Sequence, residues 1–212
     1  MCHLQTAGGA PITSGAAAGA HRRRMRTIFV LVGAGGLLLD QLTKLLAVRH
    51  LDPFDPPVLL GGLVTLRLIR NPGAAFSLGE NLTIGFALLA AAVLAFILVR
   101  LAPRINHPGW AVALGLLVAG VAGNLTDRIF REPGFLRGHV VDFVQLPHFA
   151  IFNVADMCIT SAAVLIMALA VVKNVGIGGE RYARTGVPAA GSATESESAE
   201  EPAAKPERES QE

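Results

Sequence analysis

The sequence predicts a membrane α-helical fold: a bundle of four transmembrane helices with a small extracytoplasmic β-sheet formed by the outer loops. Three observations predict it. Of 212 residues, 52% are hydrophobic and only 16% charged, and the mean hydropathy is +0.50, values typical of an integral membrane protein. Four stretches approach the roughly 20 apolar residues needed to cross a hydrocarbon core. Between the first two stretches, one loop segment alternates apolar and polar side chains with a period of two.

The first span is predicted over 27–48, "TIFVLVGAGGLLLDQLTKLLAV". "HLDPFDPPVLLGG" follows and holds too many prolines for a long helix. The alternating stretch "LVTLRLIR", 63–70, reads as a strand, and the β-branched "HVVDFVQL", 139–146, is a partner for it. The remaining spans are predicted over 82–99, 110–127 and 152–172. An even number of spans puts both ends of the chain on one side.

Three segments are expected along the chain. Residues 1–26 form a basic tail, of which 1–21 are rich in Gly, Ala, Ser and Thr and are predicted to be disordered. Residues 27–173 form one four-span domain. Residues 174–212 form an acidic, low-complexity tail predicted to be disordered. No apolar core precedes a cleavage site at the start, so a removable signal peptide is not predicted, and Met25 is a second candidate start. Lys and Arg near the span ends favour one side by nine to six, with a dense cluster at Arg22, Arg23, Arg24 and Arg26. Basic residues stay cytoplasmic, so both termini are placed there.

Composition also excludes classes. A net charge of +2 is too small to point to a nucleic-acid partner. Cys2 lies in the tail and Cys158 in a span, so a disulfide is not suggested, and no CxxC, CxxxH or HExxH spacing occurs, so neither is zinc. His139, Asp142 and His148 could in principle hold a metal, but loop histidines more often form polar surface. There is no GxSxG and no glycine-rich phosphate loop.

The acidic residues carry most of the information. Of 16 Asp and Glu, eight fall at or after Glu180. Four of the other eight, Asp40, Asp127, Asp142 and Asp156, lie in or beside the spans. At about 1.5 Å of rise per residue, Asp40 lies about 20 Å and Lys44 about 26 Å along the outward-running first span. Asn124 and Asp127 lie about 21 and 26 Å along the third, and Asn153 and Asp156 within about 6 Å of the outer end of the fourth. Polar residues of three spans, with Asp142 in the adjoining loop, therefore converge on the outer third of the membrane. An ionisable residue there is a functional hypothesis by default.

The bland readings differ by residue. Asp40 and Lys44 have the i,i+4 order that stabilises a helix, and Lys44 is long enough to snorkel. Asp127 has Arg128 beside it and Asn124 on the same face, which reads as a helix-end brace. Asp142 and Asp156 have no basic partner within a helical turn. Two carboxylates at one depth cannot both ionise cheaply, so one keeps its proton. The charged member can then act as general base and the neutral member as general acid, the two roles that amide hydrolysis needs. A proton-coupled transporter would also use intramembrane acids. However, there is no internal repeat, and the acids do not trace a path across the membrane. A non-catalytic assembly protein held together by polar contacts is the third class.

Five motifs then fall in order: "DQLTK" at 40–44, "NPGAAFSL" at 71–78, "GNLTDR" at 123–128, "VVDF" at 140–143 and "FNVAD" at 152–156. Together they make the chain resemble the lipoprotein signal peptidases, also called signal peptidase II, over about residues 27–172. The resemblance implies an aspartic endopeptidase of the bacterial inner membrane, with no cofactor and no metal. Its substrates would be lipidated prolipoproteins, cut just before the Cys that carries the diacylglyceryl group. It implies Asp142 and Asp156 as the catalytic pair, and Asn71, Gly73, Asn124, Arg128 and Asn153 as substrate contacts or supports of the pair. Asp40, Lys44 and Asp127 would brace the fold. Phe76 would offer an apolar wall, and Pro72 would bias Asn71 toward an extended backbone. Membrane lipids are the expected surroundings, and a monomer is the expected state.

Overall fold

The computed structural model describes residues 13–73 and 82–180. Four helices are long and apolar enough to cross a membrane. Helix α1 runs Thr13–His50. Helix α2, Leu82–Phe96, continues through one widened turn at Ile97–Leu101 and a tight turn at Ala102–Arg104. Helix α3 covers Pro108–Phe130. Helix α4, Val154–Met167, continues through a second widened turn, Ala168–Val172. Val30, Leu31, Leu38, Leu88, Leu89 and Val164 are all exposed, which is what a surface facing acyl chains requires.

The tails depart from expectation at both ends. Helix α1 begins at Thr13, so 13–26 is helical. Met25 and Phe29 enter the core beside Ile97, Ile105, Trp110 and Leu169, and burying them holds the preceding turns in register. The segment 174–180, expected to belong to the acidic tail, packs against the bundle. Trp110 Nε1 donates to the Val175 carbonyl at 2.9 Å, and the Asn106 N–H donates to the Ile177 carbonyl at 3.1 Å.

Helix α3 is the centre of the bundle. Half of its most apolar stretch is buried, against 11–22% for the other three helices. Its start is pre-organised by Pro108 in the first turn and by His107 Nδ1, which accepts from the Gly109 N–H at 3.1 Å. Small residues on α3 let its neighbours approach closely. A Cβ on Gly123 would collide with the Asp40 carboxylate, so glycine there allows Asp40 to lie against α3.

The outer loops form one antiparallel sheet in the order β1–β2–β3, with β1 at Val58–Leu59, β2 at Val64–Asn71 and β3 at Val140–Gln145. The strand read from alternation and its expected β-branched partner are both present and pair with each other. The alternation in β2 is not continuous, however. Leu66 pairs with Val144 and Ile69 with Asp142, so β2 spends three steps where β3 spends two. This bulge resets the facing of the strand. Beyond it, Asn71 pairs with Val140 and lies diagonal to Asp142 on the same face.

Candidate active site

Asp142 and Asp156 are brought together by one short connection. After β3 the chain turns, and Phe152 forms an antiparallel bridge with Val144; its N–H donates to the Val144 carbonyl at 2.9 Å. The next residue, Asn153, is the N-cap of α4. The strand bearing Asp142 and the helix start bearing Asp156 are thus tied one residue before the N-cap.

Asn153 then works in both directions. Its Oδ1 accepts from the Asp156 N–H at 3.1 Å, while Asp156 Oδ2 accepts from the Asn153 N–H at 3.2 Å, a reciprocal capping box. Its Nδ2 donates to Asp142 Oδ1 at 2.5 Å. The side chain is fully buried. The cap also gives Asp156 a structural role, although no basic residue lies within a helical turn of it. A carboxylate in a first helical turn is favoured by the helix dipole and by unpaired N–H groups. The signal was present in the sequence as Asn153 and Asp156 at N-cap and N3 spacing.

Each carboxylate has a second amide partner. Asn71 Nδ2 donates to Asp142 Oδ2 at 2.9 Å. The orientation of that amide follows from its other end, because Asn71 Oδ1 accepts from the Gly73 N–H at 2.9 Å. Gly73 has φ +114°, a conformation that glycine alone adopts without strain. Thr83 Oγ1 holds the same turn by donating to the Pro72 carbonyl at 2.6 Å. Asn124 Nδ2 donates to Asp156 Oδ1 at 2.8 Å. Its Oδ1 accepts from Lys44 Nζ at 3.0 Å and from Asn153 Nδ2 at 3.3 Å. Residues 74–81, including Phe76, lie outside the described residues.

Beneath this layer, Lys44 does not snorkel. Its side chain is 0% exposed, and Nζ reaches Asp40 Oδ2 at 3.0 Å, Asp127 Oδ2 at 2.8 Å and Asn124 Oδ1 at 3.0 Å. Three N–H groups meet three acceptors. Asp40 Oδ1 also accepts from the Ala155 N–H at 2.8 Å, one of the unpaired donors of the first turn of α4. Asp127 accepts from Arg131 Nε at 2.6 Å and from the Val141 N–H at 3.2 Å. The brace expected between Asp127 and Arg128 is therefore made with Arg131 and Lys44, since i,i+4 neighbours share a helix face and i,i+1 neighbours do not. Arg128 turns the other way. Its Nη1 donates to the Asn124 carbonyl at 3.3 Å and its guanidinium stands 6.0 Å from the Phe86 ring centroid. Nε of Arg128 is buried and has no hydrogen-bond partner among the described residues.

Sequence reasoning assigned no role to Arg131 or Gln41. Arg131 was legible from its i+4 spacing to Asp127. Gln41 lies inside the quoted first motif, and its Nε2 ties Asp40 Oδ2 at 3.0 Å to the Gly123 carbonyl at 3.1 Å; nothing in the sequence marks that contact.

Electrostatically, the cluster holds Lys44, Arg128 and Arg131 against Asp40, Asp127, Asp142 and Asp156. The carboxylates outnumber the cations by one, and one proton balances them. Asp142, 2% exposed in its strand, is where that proton is favoured. Burial pushes its carboxyl up from the usual 3.8 to about 6. The Asn71 and Asn153 amides pull against that rise, and the Asp156 charge adds to it.

Comparison with known proteins gives the family. The sequence profile of the Signal peptidase (SPase) II family matches residues 28–172. A lipoprotein signal peptidase of Rhodococcus jostii is 45% identical over 152 residues, which is 72% of this chain and 75% of the relative. One of Leifsonia xyli is 44% identical over 155 residues, 73% and 71% of the two chains. A solved bacterial membrane enzyme matches with a TM-score of 0.56 at 25% identity, over 68% of this chain and 92% of the other. The profile match spans all four helices and the sheet, so the chain belongs to the signal peptidase II family of membrane aspartic proteases.

Proposed function

We propose that this chain removes the signal peptide from lipidated prolipoproteins by cleaving just before the diacylglyceryl-bearing Cys, with Asp142 and Asp156 as its catalytic pair. The observation that carries the reading is one buried residue, Asn153, whose side-chain amide donates to the Asp142 carboxylate and whose backbone N–H donates to the Asp156 carboxylate. It holds two acids next to each other where one proton is shared. The ionised member takes a proton from water, and the resulting hydroxide attacks the scissile carbonyl carbon. The neutral member donates its proton to the carbonyl oxygen. When the tetrahedral intermediate collapses, the C–N bond breaks, the leaving nitrogen takes a proton from the acid that deprotonated water, and a hydroxyl of the intermediate returns a proton to the other acid, which restores the pair.

Asn71 and Asn124 keep the pair in place, each fixed at its other end by Gly73 or Lys44. Arg128 Nε, which has no hydrogen-bond partner among the described residues, is a donor for a substrate carbonyl. A lipid-bearing Cys would hold its scissile bond at a membrane surface, where the sheet and the start of α4 lie. Both termini are placed in the cytoplasm and the site at the extracytoplasmic surface of the bacterial inner membrane, with the protein acting as a monomer surrounded by lipid. Purified protein given a lipidated prolipoprotein in detergent should yield two products, and no cleavage would refute the reading. A periplasm-active reporter should be active when fused near Pro57 and silent when fused after Lys173; the reverse would overturn the orientation.

A further inference from the structure

The end of the bundle away from the paired acids carries cations that the site does not use. Arg22, Arg23, Arg24 and Arg26 are exposed on α1, Arg100 and Arg104 are exposed where α2 ends, and Lys173 is exposed where α4 ends. None of the seven pairs with a carboxylate among the described residues, whereas Lys44 and Arg131 at the other end are both paired. Glu180 is the only acidic residue described at this end. The segments that carry them also pack together. His21 Nε2 contacts the Asn106 carbonyl at 3.0 Å. Met25 and Phe29 share a core with Ile97 and Ile105. These contacts seat the α1 arginines against the segment that carries Arg100 and Arg104.

Helix α1 has 38 residues, about 57 Å of helix against a hydrocarbon core of about 30 Å. Its basic turns therefore extend beyond the acyl chains into the headgroup layer. Seven exposed cations at that depth, with one acid near them among the described residues, form an electrostatic site for anions fixed in the bilayer. From these exposed cations we infer that the basic end selectively binds anionic phospholipid headgroups of the leaflet it meets. The occupant is lipid because exposed apolar side chains such as Val30, Leu31, Leu98 and Val99 flank the arginines on the same helices. These side chains seat acyl chains directly beneath the headgroups.

Trp110 is the only tryptophan and lies in this end of the core, which makes it a resident reporter. The full chain is reconstituted in phosphatidylcholine bilayers containing a small fraction of pyrene-labelled phosphatidylglycerol or pyrene-labelled phosphatidylcholine. Energy transfer from Trp110 is then measured. Transfer to the phosphatidylglycerol probe should exceed transfer to the phosphatidylcholine probe several-fold, and the excess should shrink in high salt as the charges are screened. R22Q/R23Q/R24Q/R26Q and, separately, R100Q/R104Q should each lower the excess while helicity by circular dichroism stays unchanged. Equal transfer to both probes in the wild-type protein would overturn the inference. An excess that persists in both folded variants would overturn it too.

Discussion

At one end of the bundle Lys44 is wholly buried and touches three acceptors; at the other, Arg22, Arg23, Arg24 and Arg26 are exposed and have no carboxylate partner among the described residues. The difference shows what each set of charges does. A buried charge is tolerable only when its partners are in place, so removing one partner strands the others. The buried set therefore fixes geometry, and geometry is what a proton-sharing pair needs. The exposed set costs nothing to solvate and fixes nothing inside the protein, which leaves it available to the surroundings.

The comparison breaks hardest at the paired acids. Asp142→Asn and Asp156→Asn should each lower single-turnover cleavage of a lipidated prolipoprotein by roughly a thousandfold or more, since each removes a proton-transfer group. The double variant should be scarcely worse than either single, because the two residues act as a unit. Wild-type-like turnover from either folded single variant would rule out the pair.

One layer down, the effect should move from chemistry to folding. Lys44→Met leaves Asp40 and Asp127 buried without their shared cation, and Asp127→Asn leaves Lys44 and Arg131 short of an acceptor. Each should cost about 3–5 kcal/mol, the range for a broken buried ion pair, read as a lower unfolding midpoint in detergent and a lower yield. If Asp127→Asn instead folds normally and loses turnover as completely as Asp142→Asn, the boundary between scaffold and catalyst lies deeper than drawn here.

A smaller and graded effect should follow pH. The Asp142 carboxyl lies near 6 when folded and near 3.8 when unfolded, so between those values the folded protein binds the proton more tightly. Its contribution to stability is then fully present below about pH 4 and is lost as pH rises through about 6. At about 1.4 kcal/mol per unit, the total is about 3 kcal/mol. In Asp142→Asn that slope should disappear from the unfolding midpoint measured between pH 4 and 7. For the wild type, kcat/KM should fall on the alkaline side as the pair loses its last proton, with the pair titrating as one system. A profile flat from pH 5 to 8 would contradict a shared proton.

The smallest effect belongs to the chain ends. Truncation after Tyr182 should leave cleavage and stability unchanged. Truncation after Lys173 removes the carbonyls of Val175 and Ile177 that Trp110 and Asn106 use, and should cost about 2–3 kcal/mol, at about 1 kcal/mol per hydrogen bond plus the lost apolar contact. Equal behaviour of the two truncations would mean that 174–180 contributes nothing to the fold.

Much of this was legible before any coordinates. Spans reveal themselves because hydrocarbon demands long apolar runs, and Asp40, Lys44, Asn124, Asp127 and Asp156 stand out because such runs rarely tolerate charge. Helical rise alone brought them to one depth. The register of the sheet was less legible, since a period of two locates a strand but does not reveal where a bulge resets its facing. Pairing was less legible still. Arg131 could be read as a partner of Asp127 from its i+4 spacing, but nothing along the chain marks Lys44, on another helix, as the second partner.

By itself, then, the sequence determined which segments cross the membrane, which residues share a depth and which local caps are possible, because those depend on hydropathy, rise per residue and spacing within one element. The tertiary structure alone decided who bonds to whom. Asn153 reaches from α4 to Asp142 on β3, Asp40 on α1 accepts from the first turn of α4, and Lys44 on α1 sets the amide of Asn124 on α3. Each of those bonds joins residues on different elements. Their geometry is set by how closely helices can pack, as at Gly123, and no spacing along a single chain encodes that distance.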